Sequence, residues 1–357
     1  MPQEAVREAW RANSGTRQAW TLRLKGKGHH LKDSRIEWTH HTFSPWWGCE
    51  KVSRGCQHCY AEAWAKRTGH DVWGSGSPRR FFGDKHWREP IKWNTEAKAA
   101  GERRRVFCAS MADVFEDRPD LATWRDRLFE LIGETPDLDW LLLTKRPENI
   151  ERLMWPKPTE EIPVPYLGGG DYLPNVWLGT TIESNATRER WAHLKKIPAS
   201  VRFISAEPLV EDVDFSTIIG VEYSDFIGDW LPEQIHVLGG HPSPDWIIVG
   251  GESGGSASPF NPDWARKIRD QCAAGKVAFF MKQLGTNVED RNDAGFDGDE
   301  PGAWPMGTTW IEDRNYDGFQ GDPVRVKLRD AKGGDPAEWP EDLRVRQFPS
   351  CQNPNQG

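Results

Sequence analysis

Six short apolar runs, which do not alternate with polar residues, most constrain how this chain can fold. They are rich in β-branched and aromatic residues and recur at intervals of roughly 25 to 45 residues. Continuous runs of this kind are typical of strands buried on both faces of a parallel sheet. The runs are VFCAS (106–110), WLLLT (140–144), VWLGTT (176–181), RFISA (202–206), WIIVGG (246–251) and VAFFMK (277–282).

Amphipathic stretches between several of these runs predict helices. The three clearest cover residues 120–134, 183–197 and 261–275. The second is predicted to begin at Ser184 or Asn185. The third is predicted to begin at Asn261, with Pro262 in its first position, and to stop at Gly275. Strands that alternate with helices predict βαβ units with right-handed crossovers.

A further strand near residues 41–46, followed by a helix from Tyr60 to about Arg67, brings the expected number of strands to about seven. We therefore predict an α/β fold, a partial or open (β/α) barrel of the TIM-barrel type with about six or seven parallel strands. A doubly wound sheet is the alternative. The 357 residues are enough for such a barrel, which takes about 250 residues, with extensions at both ends.

The domain organisation follows from where the alternation of predicted strands and helices stops. We expect a basic N-terminal arm over residues 1–34 and the barrel over 35–285, with an insertion at about 69–105. Residues 286–357 are rich in Gly, Asp, Pro and Trp and are predicted to form an irregular extension laid over a barrel opening. Within this extension PVRVKLR (323–329) has the pattern of a short strand.

Charge is distributed unevenly along the chain. Residues 1–32 hold seven Arg or Lys and two Glu, a net charge of +5. Because the whole chain has a net charge of −8, the remaining residues carry −13. A basic arm on an acidic body can contact phosphates, although a solvated tail explains the same charge. Some of the twenty tryptophans are suited to stacking on a base, but packing explains most of them.

The sequence also indicates the compartment. No apolar run approaches the roughly 18 residues of a membrane span. The N-terminus lacks the apolar segment of a secretory signal. We therefore expect no membrane association and a cytoplasmic protein, in which cysteines are normally reduced.

Three of the six cysteines cluster in GCEKVSRGCQHCYAE (48–62), namely Cys49, Cys56 and Cys59. A disulfide is disfavoured because cysteines in the cytoplasm are normally reduced and because the clustered cysteines are odd in number. Zinc needs a fourth ligand, which His58 is badly placed to supply, but zinc stays open. Three thiolates match a 4Fe–4S cluster with one iron left open for a small molecule. Tyr60 directly follows the last cysteine and is placed to pack over such a cluster or its ligand.

Polar residues follow each predicted strand, at the end where (β/α) barrels carry their chemistry. Gly250 and Gly251 would let the backbone approach a ligand closely, with Glu252 as acceptor, although a tight turn explains the pair equally well. The other strand-end residues are Ser110, Asp113, Thr144, Lys145, Arg146, Thr180, Glu183, Glu207, Lys282 and Gln283.

The chain resembles the radical S-adenosylmethionine (SAM) superfamily and, within it, a phage-associated three-cysteine-motif family. The usual superfamily loop has three residues between its first two cysteines, whereas this chain has six. The resemblance covers IEWTHHTFSPWWGCEKVSRGCQHCYAE (36–62), SMADVFED (110–117), LLLTKRPENI (141–150), VWLGTTIES (176–184), RFISAEPLV (202–210), WIIVGGESG (246–254), FFMKQLG (279–285) and KGGDPAEWPEDLRVRQFP (332–349).

This resemblance implies that Cys49, Cys56 and Cys59 hold a 4Fe–4S cluster, whose open iron binds SAM. With a one-electron reductant, SAM would be cleaved to a 5′-deoxyadenosyl radical that acts on a nucleotide, nucleic acid or related metabolite. The alternative is a non-catalytic nucleic-acid-binding protein stabilised by zinc or a cluster. The residues implied to hold SAM are Tyr60, Ser110, Thr144, Thr180, Glu183, Glu207, Gly250, Gly251 and Glu252. Those implied to contact substrate are Asp113, Lys145, Arg146, Lys282 and Gln283.

Overall fold

A computed structural model describes most of the chain. The predicted basic arm over residues 1–34 lies outside the described residues except for Ser34, as does Cys351. In the described part, no helix is both long and apolar enough to cross a bilayer. The described residues are 34, 36–154, 173–223, 235–237, 242–291, 304–306, 308–311 and 323–350.

A seven-stranded sheet forms the centre of the molecule. Every neighbouring pair is parallel. The strands in sheet order are β1 (His41–Phe43), β4 (Arg104–Cys108), β5 (Leu138–Thr144), β6 (Val176–Thr181), β7 (Val201–Ala206), β10 (Trp246–Gly250) and β11 (Ala278–Gln283). The order follows the chain from one edge to the other, whereas a doubly wound sheet places its first strand in the interior. The predicted α/β partial barrel is therefore confirmed.

Shorter elements surround this sheet. The remaining strands are β2 (Trp46–Trp47), β3 (Arg80–Phe81), β8 (Val221–Tyr223), β9 (Ile235–Val237), β12 (Val288–Arg291), β13 (Thr309–Ile311) and β14 (Pro323–Lys327). The helices are α1 (Tyr60–Arg67), α2 (Asp84–Trp87), α3 (Glu89–Ala100), α4 (Ala122–Glu134), α5 (Ile150–Met154), α6 (Arg190–Leu194), α7 (Ser216–Ile219) and α8 (Pro262–Gly275).

The two faces of the curled sheet carry separate apolar clusters, and the helices pack on the outer one. The inner cluster is mostly aromatic. It comprises Trp38, Phe107, Leu141, Trp177, Val201, Phe203, Trp246, Ile248 and Phe280. Trp38 lies 4.8 Å from Phe107 and 6.1 Å from Trp246 between ring centroids. Because Trp246 is the first residue of β10, this cluster closes the amino-terminal end of the barrel.

One of the predicted helices needs correction. The stretch 183–197 forms a 3₁₀ turn, Asn185–Thr187, and the short helix α6. Ser184 caps the 3₁₀ turn in a capping box, and the Thr187 hydroxyl accepts from the backbone N–H of Glu183, which closes the turn early. Helix α8 begins after Asn261 and ends at Gly275, as predicted.

The residue that caps the end of α8 is Lys276, which has a φ of 57°. Gly275 has a packing role, because a Cβ there would lie 2.1 Å from Ile219 Cγ2. The glycine therefore permits α8 to approach α7 closely.

The predicted insertion at 69–105 contains β3, α2 and α3 within the crossover from β1 to β4. Helix α3 was not expected, because its sequence has little apolar periodicity. It buries Ala97 and ends at Gly101, which has a φ of 64°. This segment therefore belongs to the first βαβ unit of the barrel.

The C-terminal extension is partly regular. Strands β12, β14 and β13 form an antiparallel sheet in that order, and β14 confirms the strand predicted at 323–329. Further on, the N–H of Met281 donates to the carbonyl of Val345, and the N–H of Gln347 donates to that of Phe279, both at 2.8 Å. The end of the extension therefore covers the free edge of β11. The extension had been expected to lie over an opening of the barrel.

Candidate functional site

The cysteine loop lies at the carboxyl edge of the sheet. After β2, the N–H of Gly48 donates to the carbonyl of Met111 at 3.0 Å, which ties the loop to the segment after β4. Gly48 has a φ of 116°, and a Cβ there would lie 2.3 Å from the carbonyl oxygen of Val72. Only glycine fits this turn, which directly precedes Cys49.

The three clustered cysteines are free and partly exposed, while Cys108 and Cys272 are free and buried in the core. Cys56 ends a 3₁₀ turn, Arg54–Cys56, and Cys59 is the N-cap residue of α1. All three thiols are therefore held on one short loop between β2 and α1, as the sequence predicted.

The pKa values of the Cys49 and Cys59 thiols are raised, which favours their protonated forms. Burial and the charge of Asp113 raise the pKa of the Cys49 thiol to about 12, although Arg146 opposes them. Burial also raises the pKa of Cys59, against the lowering effect of backbone N–H groups in α1. A metal centre at this loop would have to displace these protons, so its assembly must depend on pH.

Arg146, which follows β5, holds the first part of the loop. Its guanidinium donates to the Cys49 sulfur at 3.6 Å and to the Glu50 carbonyl at 2.8 Å. It also pairs with the buried carboxylate of Asp113 at 2.9 Å. The Thr144 hydroxyl donates to the same carboxylate at 2.7 Å. Asp113, Thr144 and Arg146 thus form one buried network beneath Cys49.

Glu183, which follows β6, lies under the second part of the loop. Its side chain is fully buried and pairs with Arg190 at 2.8 Å. A Cβ on Gly55 would lie 2.8 Å from Glu183 Cγ and 3.1 Å from its Oε1. This oxygen is buried and, within the described structure, has no hydrogen-bond partner. The positive charges of Lys145 and Arg190 outweigh burial and hold the pKa of Glu183 below its ordinary value.

The far side of the loop contacts the strand ends across the barrel mouth. His58 Nδ1 lies 3.2 Å from Glu252 Oε2, which also accepts from the N–H of Ser258 at 2.7 Å. The hydroxyl of the exposed Tyr60 donates to the carbonyl of Ser110 at 2.8 Å. The loop is therefore attached to the segments after β4 and β10 as well as to those after β5 and β6.

The barrel mouth itself is polar. Lys282 on β11 forms an ion pair at 2.5 Å with Glu207, which follows β7. Gln283 donates to the carbonyl of Gly251 at 2.9 Å. A Cβ on Gly250 would lie 3.3 Å from the Glu207 side chain. Gly251 is required by packing, because a Cβ there would lie 2.1 Å from the carbonyl oxygen of Leu284.

The predicted threonines and the mouth lie on different faces of the sheet. Thr144 and Thr180 share a face with Leu142 and Leu178, which pack toward the helices, and the Thr180 hydroxyl donates to the carbonyl of Thr144 at 3.0 Å. The inner face carries Thr181 and Ser205 instead. They follow Trp177 and Phe203 at even spacing. These two residues were not among the predicted site residues, although the alternation of side chains along a strand places them on the inner face.

The donors that the cysteine loop offers are three thiols, the ligand type of iron–sulfur clusters. Cys thiolates are the usual ligands of such clusters, and this loop supplies three free thiols at one edge of the sheet. Elsewhere in the described residues, as in this loop, no three His, Cys, Asp or Glu side chains are arranged to hold a single ion. The fourth ligand that a structural zinc requires is thus not evident in the described part.

Comparisons with known proteins place the chain in a family. Two solved spore photoproduct lyase mutants are similar, each with a TM-score of 0.37, at 13% and 12% identity. Each match covers 85% of this chain and 73% of the other. No curated protein matches the sequence. The family model "Protein of unknown function (DUF5131)" matches residues 33–332, so the chain belongs to the DUF5131 family.

Proposed function

We propose that this protein is a radical SAM-type iron–sulfur enzyme that modifies a nucleotide, nucleic acid or related metabolite. The observation that carries the proposal is the position of Cys49, Cys56 and Cys59. They occupy one loop at the carboxyl edge of a parallel partial barrel, where such barrels carry their chemistry. The sequence resemblance to the radical SAM superfamily supports the same conclusion.

A 4Fe–4S cluster with bound SAM would supply one-electron cleavage of SAM to a 5′-deoxyadenosyl radical. The three cysteines would hold the cluster. Glu207 and Glu252 present carboxylates around the mouth, each already held by a partner, Lys282 or His58. Gly250 leaves the wall beside Glu207 without a side chain. The proposed SAM contacts are Glu207, Glu252, Gly250, Tyr60 and Ser110.

The fold also limits the access of water to this site. The aromatic inner cluster closes the amino-terminal end of the barrel, and the end of the C-terminal extension covers the β11 edge. Access is therefore expected from the carboxyl edge. A dry interior protects reactive intermediates from side reactions.

Lys145 is the best-supported substrate contact among the predicted residues. Asp113 and Arg146 are engaged with each other, Lys282 with Glu207, and Gln283 with a backbone carbonyl. Among the ion pairs of the described residues, none involves the Lys145 ammonium. This ammonium lies near Cys59 and Glu183, and a lysine ammonium is suited to meet an anionic group such as a phosphate.

Anaerobic purification followed by iron and sulfide analysis tests the proposal. We expect a brown protein with about four irons per chain that yields 5′-deoxyadenosine from SAM and dithionite. Cys49→Ala, Cys56→Ala and Cys59→Ala should each lose the iron, while Cys351→Ala, outside the loop, should retain it. A colourless wild-type protein that holds one zinc and does not cleave SAM would contradict the proposal and favour a non-catalytic metal-stabilised binding protein.

A further inference from the structure

The guanidinium of Arg146 is buried and makes three separate contacts. It donates to Asp113 at 2.9 Å, to the Cys49 sulfur at 3.6 Å and to the Glu50 carbonyl at 2.8 Å. The last two contacts hold consecutive residues at the start of the six-residue gap between Cys49 and Cys56. Arg146 therefore joins the end of β5 to the beginning of this gap.

Asp113 fixes the direction in which Arg146 points. One carboxylate oxygen accepts from the Thr144 hydroxyl at 2.7 Å and the Phe115 N–H at 3.0 Å. The other accepts from the Lys145 N–H at 3.0 Å and from Arg146. With four donors on it, this carboxylate has little freedom to serve a substrate. The carboxylate of Asp113 instead holds the Arg146 guanidinium in place.

We propose that Arg146, oriented by Asp113, is a positioning residue for a cluster held at Cys49, and that its charge makes the cluster easier to reduce. This inference rests on the proposed function and assigns Arg146 a role other than the substrate contact expected from sequence. A cluster with three thiolate ligands gains negative charge on reduction, and a cation donating to a ligand sulfur stabilises the reduced form.

The six residues between the first two cysteines are held by this contact and by a second one. Arg146 holds the gap at Glu50, and the contact of Gly55 with Glu183 holds it at the other end. The six residues are thus held at both ends by the segments that follow β5 and β6.

The reduction potential of the reconstituted cluster, measured without SAM, tests the inference. Arg146→Gln should shift the midpoint potential to more negative values, and Arg146→Lys should stay closer to wild type. The matched control is Arg152→Gln, because Arg152 forms an exposed pair with Asp117. Equal potentials for Arg146→Gln and Arg152→Gln would overturn the electrostatic role.

Hydrogen exchange of the metal-free protein tests the positioning role by itself. Loss of charge-assisted hydrogen bonds should speed exchange of the segment 49–56 by about tenfold in Arg146→Gln. Asp113→Asn should act in the same direction, and Arg152→Gln should have no effect. Unchanged exchange in Arg146→Gln would overturn the positioning role, as would faster exchange throughout the molecule, which would indicate a merely structural role.

These outcomes separate the inference from the proposed function. A wild-type protein that binds no cluster refutes the proposed function and removes the basis of this inference. A wild-type cluster whose potential and loop exchange are unaffected by Arg146→Gln refutes the inference alone.

Discussion

Gly55 of the cysteine loop lies directly against Glu183 of the barrel. A Cβ at position 55 would lie between 2.8 and 3.1 Å from three atoms of the buried Glu183 side chain. We expect Gly55→Ala to destabilise the protein by about 1–3 kcal/mol, since overpacking of a buried contact forces neighbouring groups to move. Denaturant unfolding measures this change, and iron content reports on the loop.

The matched control is Gly76→Ala, because nothing lies within 4 Å of a Cβ added at Gly76. This variant should unfold within about 0.5 kcal/mol of wild type. If both variants unfold with equal free energies, the loop does not rest on Glu183.

Glu183 should make stability depend on pH. Its pKa is lowered in the folded protein: burial raises it, but the positive charges of Lys145 and Arg190 prevail. A lowered folded-state pKa stabilises the protein above the unfolded value of about 4.3, and this contribution is lost as the pH falls through the folded value. Glu183→Gln leaves Arg190 unpaired and should cost about 3–5 kcal/mol at pH 7.

The difference in unfolding free energy between wild type and Glu183→Gln should therefore shrink between pH 6 and pH 3. Urea unfolding at several pH values measures it. Glu96→Gln, which alters a more exposed carboxylate, should show a small difference at every pH. A Glu183→Gln difference that is constant with pH would contradict the assignment.

At the level of elements, the central strands were predictable because burial on both faces leaves continuous apolar runs. The run predicted at 176–181 coincides with β6, and the others agree within two residues. Helix α3 was missed because few of its residues face the core, and the stretch 183–197 was misread because the Thr187 hydroxyl closes a turn early. Local capping competes with helical periodicity there.

Asp342 anchors the C-terminal extension to α8. Its carboxylate accepts from Arg266 at 3.0 Å and from Arg269 at 2.6 Å. Burial raises its pKa, but these two charges prevail and lower it. Asp342→Asn should cost about 1.5–3 kcal/mol and free the segment that covers the β11 edge. Limited proteolysis should then cut after residue 340 sooner than in wild type.

Asp270→Asn provides the control for that experiment, because Asp270 also pairs with Arg269 but is largely exposed. Its unfolding and its proteolysis should match wild type. Equal resistance of the two variants would show that the anchoring of the extension does not depend on Asp342.

At the scale of the whole molecule, the candidate site is assembled from distant parts of the chain. Arg146 is 97 residues from Cys49, and Glu252 is 194 residues from His58. The rule that chemistry gathers at the carboxyl ends of parallel strands predicted the edge but not these pairings. Sequence spacing does not contain them, since the curl of the sheet and the side-chain rotamers decide which strand-end residues meet.

The uneven charge of the chain makes a prediction about nucleic acids. The seven cations in residues 1–32 precede an acidic remainder, and the family match begins at residue 33. If the substrate is a nucleic acid, deletion of residues 1–32 should weaken binding and reduce its dependence on salt. Seven phosphate contacts would contribute roughly 5 to a log–log salt slope on single strands. The iron content should stay unchanged.

Fluorescence anisotropy with a labelled oligonucleotide, at salt concentrations from about 50 to 200 mM, measures this slope for both proteins. A control with four of the arm's cations changed to glutamine keeps the length and should lower the slope by roughly 3. Because the rest of the chain carries a net −13, the truncated protein as a whole should repel phosphates. Equal slopes for the truncated and full-length proteins would show that the arm does not contact nucleic acid.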